Sequence, residues 1–322
     1  MRASVVVPAF NAETSLRACL DGLMRQSCPR DLYEVIVVDD GSTDRTAEIA
    51  RDYDVSLISQ ENQGPAAARN AGARTARGDI ILFTDADCIP SNDWIGQMLA
   101  PFQEDEVAAV KGAYRTYQRE IVARFAQIEF EERFHILEKA AQTDMVDTYS
   151  AGFRNHVFTE FKGFDTRFPV ANNEDTELSY RLAAAGMKMV FNPAAIVFHL
   201  GHPDTLWRYA RLKFSRGYWR MIVYRRFPDK MMRDTYTPRT LKIQIVALAC
   251  LLLSLPSVLI SQQVGVKIVY TMFFLLGCSF VSFFLFAIKR DIVVGLCSPI
   301  FLTIRAGAIG LGALWGAIRG RL

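Results

Sequence analysis

The chain has 322 residues, of which 51% are hydrophobic, and its formal net charge is +3. This length is enough for one sizeable domain and an appendage. The six cysteines form no CxxC pair and no cysteine–histidine set at zinc spacing, which excludes a zinc-binding motif and disfavours a disulfide framework. A reducing cytoplasm fits this cysteine pattern. The first apolar run is too short for the core of a signal peptide, so no leader is expected.

The apolar residues are unevenly distributed along the chain. Up to about residue 200 they form short runs between charged and turn residues, and from Leu241 onward they dominate. The runs at residues 4–8, 34–38, 55–58 and 80–83 predict buried strands, and helical patterns lie between them. This alternation predicts an α/β domain with a mostly parallel sheet and helices on both faces.

Two carboxylates, Asp85 and Asp87, follow the fourth predicted strand. Residues two apart at a strand end point the same way, so both can face the carboxyl edge of the sheet, where α/β sheets bind ligands. Two such oxygen ligands suit Mg²⁺ or Mn²⁺. The alternative is an ordinary acidic turn after a strand.

Further polar side chains follow the other predicted strands. Asp39 or Asp40 can accept a hydrogen bond from a pyrimidine imide or a ribose hydroxyl, or can cap the next helix. Arg69 can pair with a diphosphate, or it can be a surface arginine. The GxxxxGK[ST] and GxGxxG motifs are absent from the sequence, so a metal ion is expected to hold the phosphates.

The second half of the domain also carries candidate residues. Residues 107–115 predict a strand, 121–141 a long amphipathic helix, and 150–155 a loop of small residues that a substrate can approach. Two short strands at 189–191 and 195–198 are expected to lead to His199. By itself, a histidine after a strand is more often a buried hydrogen-bonding residue than a metal ligand, and His202 is a weaker candidate than His199.

Glu174 and Asp175 precede a helical pattern and are expected at a helix N-terminus. The helix dipole there favours an ionised carboxylate, which is the form that a general base needs. The alternative is ordinary capping of the helix.

These motifs resemble, in order and spacing, those of the family 2 glycosyltransferases, over roughly residues 3–200. The motifs are Val-Pro-Ala-Phe-Asn at 7–11, Val-Val-Asp-Asp-Gly-Ser-Thr-Asp at 37–44, Asn-Gln-Gly at 62–64, Ala-Arg-Asn-Ala-Gly at 68–72, Asp-Ala-Asp at 85–87, Lys-Gly-Phe-Asp at 162–165, Glu-Asp-Thr-Glu-Leu-Ser-Tyr-Arg-Leu at 174–182 and His199. The resemblance implies the Rossmann-like GT-A fold and an inverting transfer from a nucleotide-diphosphate sugar.

The resemblance also implies a role for each matching residue. Asp85, Asp87 and His199 would hold Mn²⁺ or Mg²⁺, and Asp175 with Glu174 would supply the general base. The nucleotide and the donor sugar would be held by Pro8, Phe10, Asn11, Glu13, Asp39, Asp40, Asn62, Arg69, Asp85 and Ala86. A UDP-sugar is the donor that the family favours, and GDP and dTDP sugars stay open.

The acceptor is inferred from the proposed base. A phosphate acceptor is already ionised and needs no base, so the Glu-Asp pair favours a sugar hydroxyl of a lipid-linked or cell-surface glycan. The alternatives are a synthase that charges polyprenyl phosphate with one sugar, and a non-catalytic membrane scaffold. A processive polysaccharide synthase is disfavoured because the QxxRW motif is absent and the predicted spans are few.

The C-terminal part predicts a membrane domain. Eleven Lys/Arg against two Asp lie between Trp207 and Lys242, mixed with aromatic residues, which indicates helices at an anionic lipid surface. Nucleic-acid binding is the rival interpretation, and the apolar spans that follow at once disfavour it. Residues 243–260, where Pro256 can kink the helix, and 268–288 are long enough to cross a bilayer, which takes ~20 residues. The positive-inside rule then places the catalytic domain in the cytoplasm of a multi-pass protein of the cell membrane.

The third apolar stretch, residues 292–318, contains Pro299, Arg305 and five glycines. It is either a third span or a re-entrant hairpin, and the hairpin is favoured because it keeps Arg305 out of the lipid. In that arrangement Arg305 is expected to meet a lipid phosphate. The predicted organisation is therefore a catalytic domain over residues 1–203, interfacial helices over 204–240 and a membrane domain over 241–322.

Overall fold

A computed structural model describes residues 2–170 and 172–320. One eight-stranded sheet has the order β3-β2-β1-β4-β7-β6-β8-β5. Its strands are β1 (Ala3–Ala9), β2 (Tyr33–Asp39), β3 (Ser56–Ser59), β4 (Ile80–Phe83), β5 (Cys88–Pro90), β6 (Val107–Arg115), β7 (Ala151–Arg154) and β8 (Lys188–His199). Strands β3, β2, β1 and β4 are mutually parallel, as the sequence predicts, whereas β7 is antiparallel to both its neighbours.

The helices cover the sheet and then continue into the apolar C-terminal part. They are α1 (Leu16–Met24), α2 (Thr46–Arg51), α3 (Pro65–Thr75), α4 (Trp94–Leu99), α5 (Ile121–Leu137), α6 (Asn155–Glu160), α7 (Glu174–Ala184), α8 (Leu206–Arg226), α9 (Pro228–Met232), α10 (Arg239–Ser254), α11 (Ser257–Ile260), α12 (Gln262–Ile288) and α13 (Ile292–Arg319). Apolar side chains pack against both faces of the sheet, so its central strands are buried on both sides.

Two local predictions differ from the structure. The expected loop at 150–155 contains strand β7, which lies in the middle of the sheet. Its small residues serve packing, because a Cβ atom on Gly152 would come within 2.9 Å of Leu82. The two short strands expected before His199 are one strand, β8, whose pairing with β6 shifts register between Lys111 and Ala113.

The hairpin prediction for the third apolar stretch is wrong, because α13 is one continuous helix of 28 residues. Pro299 lies inside it and cannot donate a hydrogen bond to the carbonyl oxygen of Gly295. The Ser298 hydroxyl donates to that oxygen instead, at 2.7 Å. The Gly295 carbonyl oxygen therefore still accepts a hydrogen bond, and the helix continues beyond Pro299 without a break. The expected interruption at Pro256 is confirmed, since α10 ends at Ser254 and α11 begins at Ser257.

The expected contact of Arg305 with a lipid phosphate is also wrong. Arg305 is 1% exposed and donates to Glu129 of α5 at 2.9 Å and to Gln244 of α10 at 2.7 Å. Glu129 also accepts from Lys213 Nζ and Tyr209 Oη of α8, at 2.9 and 2.8 Å. One buried carboxylate therefore joins α5 to α8 and α13.

Helix α13 also lies directly against α8. A Cβ atom on Gly312 would clash with the carbonyl oxygen of Phe214, and one on Gly316 would come within 2.5 Å of that of Tyr218. The matching steps of four residues show that the two helices run in the same direction. Arg225 of α8 donates to the carbonyl oxygen of Gly320 at 2.6 Å.

Within residues 2–170 and 172–320, three segments are long and apolar enough to cross a membrane: Arg239–Ile260, Gln262–Ile288 and Ile292–Arg319. Arg239–Ile260 combines α10 and α11, and the other two segments are α12 and α13. The share of residues buried within the protein is 6%, 22% and 39% in their most apolar windows. The last segment is thus the one most enclosed by the rest of the chain.

We expect Glu129→Gln to lower the stability of the chain by about 3–5 kcal/mol, because it leaves Lys213 and Arg305 buried without a counter-charge. The matched control is Glu131→Gln on the same helix. Its ion pair with Arg290 is 35–38% exposed, so the loss should be about 0–1 kcal/mol. Thermal unfolding of the detergent-solubilised chain measures both, and equal midpoints for the two variants would contradict a structural role for Glu129.

Candidate active site

One cavity of about 1170 Å³ opens at the carboxyl ends of β1, β2 and β4 and extends to the C-terminal helices. Most of the site residues that the sequence predicts lie on its wall: Pro8, Phe10, Asn11, Asp40, Asn62, Arg69, Asp85, Ala86, Asp87, Glu174, Asp175 and His199. Residues of α8, α10 and α13 line its other end. The sheet edge and helices α8, α10 and α13 therefore line the same cavity.

Glu13 and Asp39 do not line this cavity. The Glu13 carboxylate accepts from the backbone of Arg45 at 3.2 Å, just before α2. The Asp39 carboxylate accepts from the backbone of Ser42 at 3.1 Å. Both side chains are thus used to shape the loops after β1 and β2.

Asn11 and Asp40 line the cavity and also organise its loops. Asn11 has a left-handed backbone (φ 48°), and its side-chain oxygen accepts from the backbone of Thr43 at 2.9 Å. The two oxygens of Asp40 accept from the backbone of Gln63 and Gly64, each at 2.9 Å. Phe10 is half exposed at the same rim and offers an apolar face to a ligand.

Arg69 joins two carboxylates from distant parts of the chain. It is 2% exposed, and it donates to Asp85 at 2.7 Å and to Glu174 at 2.8 Å. A surface position is therefore excluded, and two of its nitrogens are used within the protein. The contact holds the end of β4 against the start of α7, so Arg69 positions both acidic motifs.

Glu174 and Asp175 begin α7, as the sequence predicts, but their surroundings differ. Glu174 is buried, and its second oxygen accepts from the backbone of Asn172 at 2.6 Å. Burial and the adjacent Asp175 charge raise the pKa of Glu174 to about 7, against the opposing effect of Arg69. The helix dipole therefore does not by itself keep Glu174 ionised. Asp175 is only half-buried and lines the cavity.

The loop before α7 is supported by α8. Asn173 adopts a left-handed backbone (φ 71°) at the helix start. The Asn172 side chain donates to the Ser215 hydroxyl of α8 at 2.7 Å. A shift of α8 would consequently move the loop that directly precedes Glu174 and Asp175.

The pairing of β5 with β8 brings the acidic turn next to His199. Cys88 lies opposite His199 across the two strands, and His199 Nε2 is 3.7 Å from an oxygen of Asp87. A Cβ atom on Gly201 would come within 2.6 Å of that oxygen, so only glycine leaves this space open. Burial raises the pKa of Asp87; the His199 charge opposes this rise and the Asp85 charge adds to it.

The acidic turn and His199 offer candidate ligands for a divalent cation. The carboxylates of Asp85 and Asp87 are the ligands that Mn²⁺ and Mg²⁺ prefer, and a cation would relieve their repulsion. His199 lies in reach, but its Nδ1 accepts from the backbone of Gly201 at 3.0 Å. A neutral imidazole that binds a cation through Nε2 must carry its proton on Nδ1, so that contact would have to change. The buried Cys88 thiol has a pKa raised well above its usual range and is a poor ligand.

The sequence interpretation missed the membrane side of the cavity. Arg133 of α5, Arg216 and Arg220 of α8, and Tyr236 lie on its wall. The basic composition of residues 207–242 is the signal for these residues in the sequence, although by itself it indicates only contact with lipid headgroups. His202 also lines the cavity, and burial lowers its pKa to about 3, so its ring is neutral.

Residues 4–160 match the family described as Glycosyl transferase family 2. The chain is 29% identical to glycosyltransferase AglE of Haloferax volcanii over 207 residues, which are 62% of this chain and 67% of AglE. It is 28% identical to the probable glycosyltransferase YdaM of Bacillus subtilis over 235 residues, which cover 67% of this chain and 55% of YdaM. The similarity thus extends over about two thirds of the chain.

Solved structures share the fold at low sequence identity. Mannosyltransferase PcManGT from Pyrobaculum calidifontis, in complex with GDP-Man and Mn²⁺, has a TM-score of 0.63 at 20% identity, covering 98% of this chain and 87% of that one. Glucosyl-3-phosphoglycerate synthase from Mycobacterium tuberculosis, with Mn²⁺, UDP and phosphoglyceric acid, has a TM-score of 0.51 at 21% identity, covering 69% and 78%. Residues 4–160 therefore form a family 2 glycosyltransferase domain, in a chain of GT-A fold that ends in three helices long and apolar enough to cross a membrane.

Proposed function

We propose that this chain is a membrane-bound, inverting glycosyltransferase that moves a sugar from a nucleotide-diphosphate sugar to a hydroxyl of a lipid-linked glycan. The observation that carries this proposal is the single cavity. Its wall includes Asp85, Asp87 and Asp175 at one end and Ile245 of α10 and Ile309 of α13 at the other. A donor at the sheet edge and an acceptor anchored in lipid can meet in such a space.

The donor is proposed to bind at the carboxyl ends of β1, β2 and β4. The relatives of this fold include one solved with GDP-Man and one with UDP, so a UDP- or GDP-sugar is the donor class. Asp85 and Asp87, with His199 after its hydrogen bond to Gly201 changes, would hold Mn²⁺ or Mg²⁺. The ion would neutralise charge that develops on the leaving diphosphate.

Asp175 is proposed as the general base. Its carboxylate would take the proton of the acceptor hydroxyl while the oxygen of that hydroxyl forms a bond to the sugar carbon and the diphosphate leaves from the opposite face. Glu174, tied to Arg69 and to the backbone of Asn172, keeps the start of α7 in place. The charging of a polyprenyl phosphate is the second candidate, because cationic side chains line the membrane end of the cavity.

The membrane arrangement is proposed from the packing of α13. Its start, middle and end are held by Arg124, Glu129 and Arg225, through Asp291, Arg305 and the Gly320 carbonyl. Helix α8 runs alongside the second half of α13 and carries seven Lys/Arg side chains. If α13 crossed the bilayer, these charges would cross with it, at high cost. We therefore infer that α10 with α11 and α12 cross the membrane as a pair, while α13 lies along its cytoplasmic surface.

We expect the purified chain to release nucleoside diphosphate slowly from one of the UDP-, GDP- or dTDP-sugars, and EDTA to stop this release. Asp87→Asn should raise the Mn²⁺ concentration for half-maximal release by at least about tenfold, because a ligand is lost. Asp105→Asn, at a fully exposed carboxylate, is the control and should behave as wild type. No release from any donor, together with no thermal shift on adding nucleotides, would favour a non-catalytic scaffold.

Asp175→Asn should lower the rate of donor hydrolysis about 100-fold or more, because the water molecule that attacks the sugar in place of the acceptor loses its base. The dissociation constant for the nucleoside diphosphate, measured by calorimetry, should stay within about twofold of wild type. Unchanged hydrolysis in this variant would show that another group acts as the base.

The membrane arrangement is tested with single cysteines in a chain whose native cysteines are replaced by serine. In sealed vesicles that expose the outer face, an impermeant maleimide should label Ser261→Cys only. Lys289→Cys, the control for the cytoplasmic side, and Arg319→Cys should react only after permeabilisation. Labelling of Arg319→Cys in sealed vesicles would mean that α13 spans the membrane.

A further inference from the structure

Three arginines on the cavity wall have no carboxylate partner among residues 2–170 and 172–320: Arg133, Arg216 and Arg220. The other two cationic side chains that lie near them on the wall are paired. Lys213 contacts Glu129 at 2.9 Å, and Lys242 contacts Asp234 at 3.3 Å. The three arginines therefore leave an excess of positive charge in one part of the cavity.

The contacts that these arginines do make are neutral. Arg133 is 8% exposed and donates to the Tyr236 hydroxyl at 3.2 Å. Its guanidinium lies 4.9 Å from the ring centre of Phe130, and that of Arg216 lies 5.7 Å from the same ring. Arg220 donates to the Tyr180 hydroxyl at 3.1 Å. Arg133 and Arg216 thus lie at one ring, and such neighbouring like charges on the wall of a cavity repel each other unless an anion binds between them.

The position of the arginines on α8 shows what kind of anion fits. Lys213, Arg216 and Arg220 are spaced by three and four residues, so they share one face of the helix. Gly217, between the two arginines, lies against Ile309 and Ala313 of α13, which also line the cavity. Leu241, Ile245 and Val246 of α10 continue the apolar wall. Cationic and apolar surfaces thus adjoin in the same space.

We propose that Arg133, Arg216 and Arg220 form a binding site for the phosphate of a lipid phosphate, the group that anchors the acceptor. This inference rests on the proposed function, and it names the part of the acceptor that the protein recognises. A water-soluble phosphate compound has no apolar part that would contact the wall formed by α10 and α13. The donor diphosphate is proposed to lie with the cation at Asp85 and Asp87, at the sheet end of the cavity.

The test uses the full chain in detergent and farnesyl phosphate as the probe, with binding measured by calorimetry. Wild type should bind farnesyl phosphate at least about tenfold more tightly than farnesol or inorganic phosphate. Arg133→Gln and Arg220→Gln should each weaken binding of farnesyl phosphate about tenfold. The matched control is Arg211→Gln, on the exposed side of the same helix, which should bind as wild type does.

Binding of nucleoside diphosphate with Mn²⁺ to the same variants separates the two phosphate sources. We expect it to stay within about twofold of wild type in all of them. A loss of nucleotide affinity with farnesyl phosphate binding intact would assign the arginines to the donor and overturn the proposal. Equal affinity of wild type for inorganic phosphate and farnesyl phosphate would also overturn it.

Two further measurements keep the outcome interpretable. Arg220→Lys retains the charge and should keep more affinity for farnesyl phosphate than Arg220→Gln. The unfolding temperatures of both variants are measured as a control for folding. If both unfold at the wild-type temperature and lose the same affinity for farnesyl phosphate, the site is not electrostatic. Donor hydrolysis is assayed separately. Its absence would contradict glycosyl transfer, whereas failure of farnesyl phosphate to bind an actively hydrolysing chain would contradict only the lipid-phosphate site.

Discussion

The buried carboxylate of Glu129 is the contact that joins the sheet domain to the long apolar C-terminal helices. It lies on α5 and accepts from Lys213 and Tyr209 of α8 and from Arg305 of α13. Burial alone would raise its pKa, but the charges of Lys213 and Arg305 more than offset this, and the pKa of Glu129 lies well below its usual range. If α5, α8 and α13 moved apart, Glu129, Lys213 and Arg305 would become unpaired buried charges. The cost of unpaired buried charge therefore holds these three helices at their observed distances.

That spacing gives the cavity its shape. Helix α8 is held in place by its contacts with Glu129 and with the glycines of α13. Its Ser215 accepts a hydrogen bond from Asn172 and so supports the loop before α7. At the opposite end, Arg69 holds β4 and α7 together through Asp85 and Glu174. Two buried charge clusters, far apart in sequence, thus place the acidic residues of the sheet edge and the cationic wall of α8 around the same space.

The parts of the fold that follow from local patterns were predictable. The strands β1, β2 and β4 are continuous apolar runs because both faces of a covered parallel sheet are buried. The polar residues after them meet at one edge because parallel strands all end there. Strand β7 was not recognised, since Ala151 and Gly152 have the composition of a loop and are small only because Leu82 and its neighbours pack closely against them.

The sequence by itself determined the element types, the acidic residues at the strand ends and the presence of long apolar helices. Only the tertiary structure decided which charges are paired. Arg305 is neutralised by a glutamate 176 residues away, whereas Arg133, Arg216 and Arg220 have no carboxylate partner within the described part of the chain. Helix α13 is continuous and packs along α8, where the sequence favours a hairpin. Periodicity and propensity act over a few residues, but the partner of a buried charge depends on how distant helices pack, which no local pattern records.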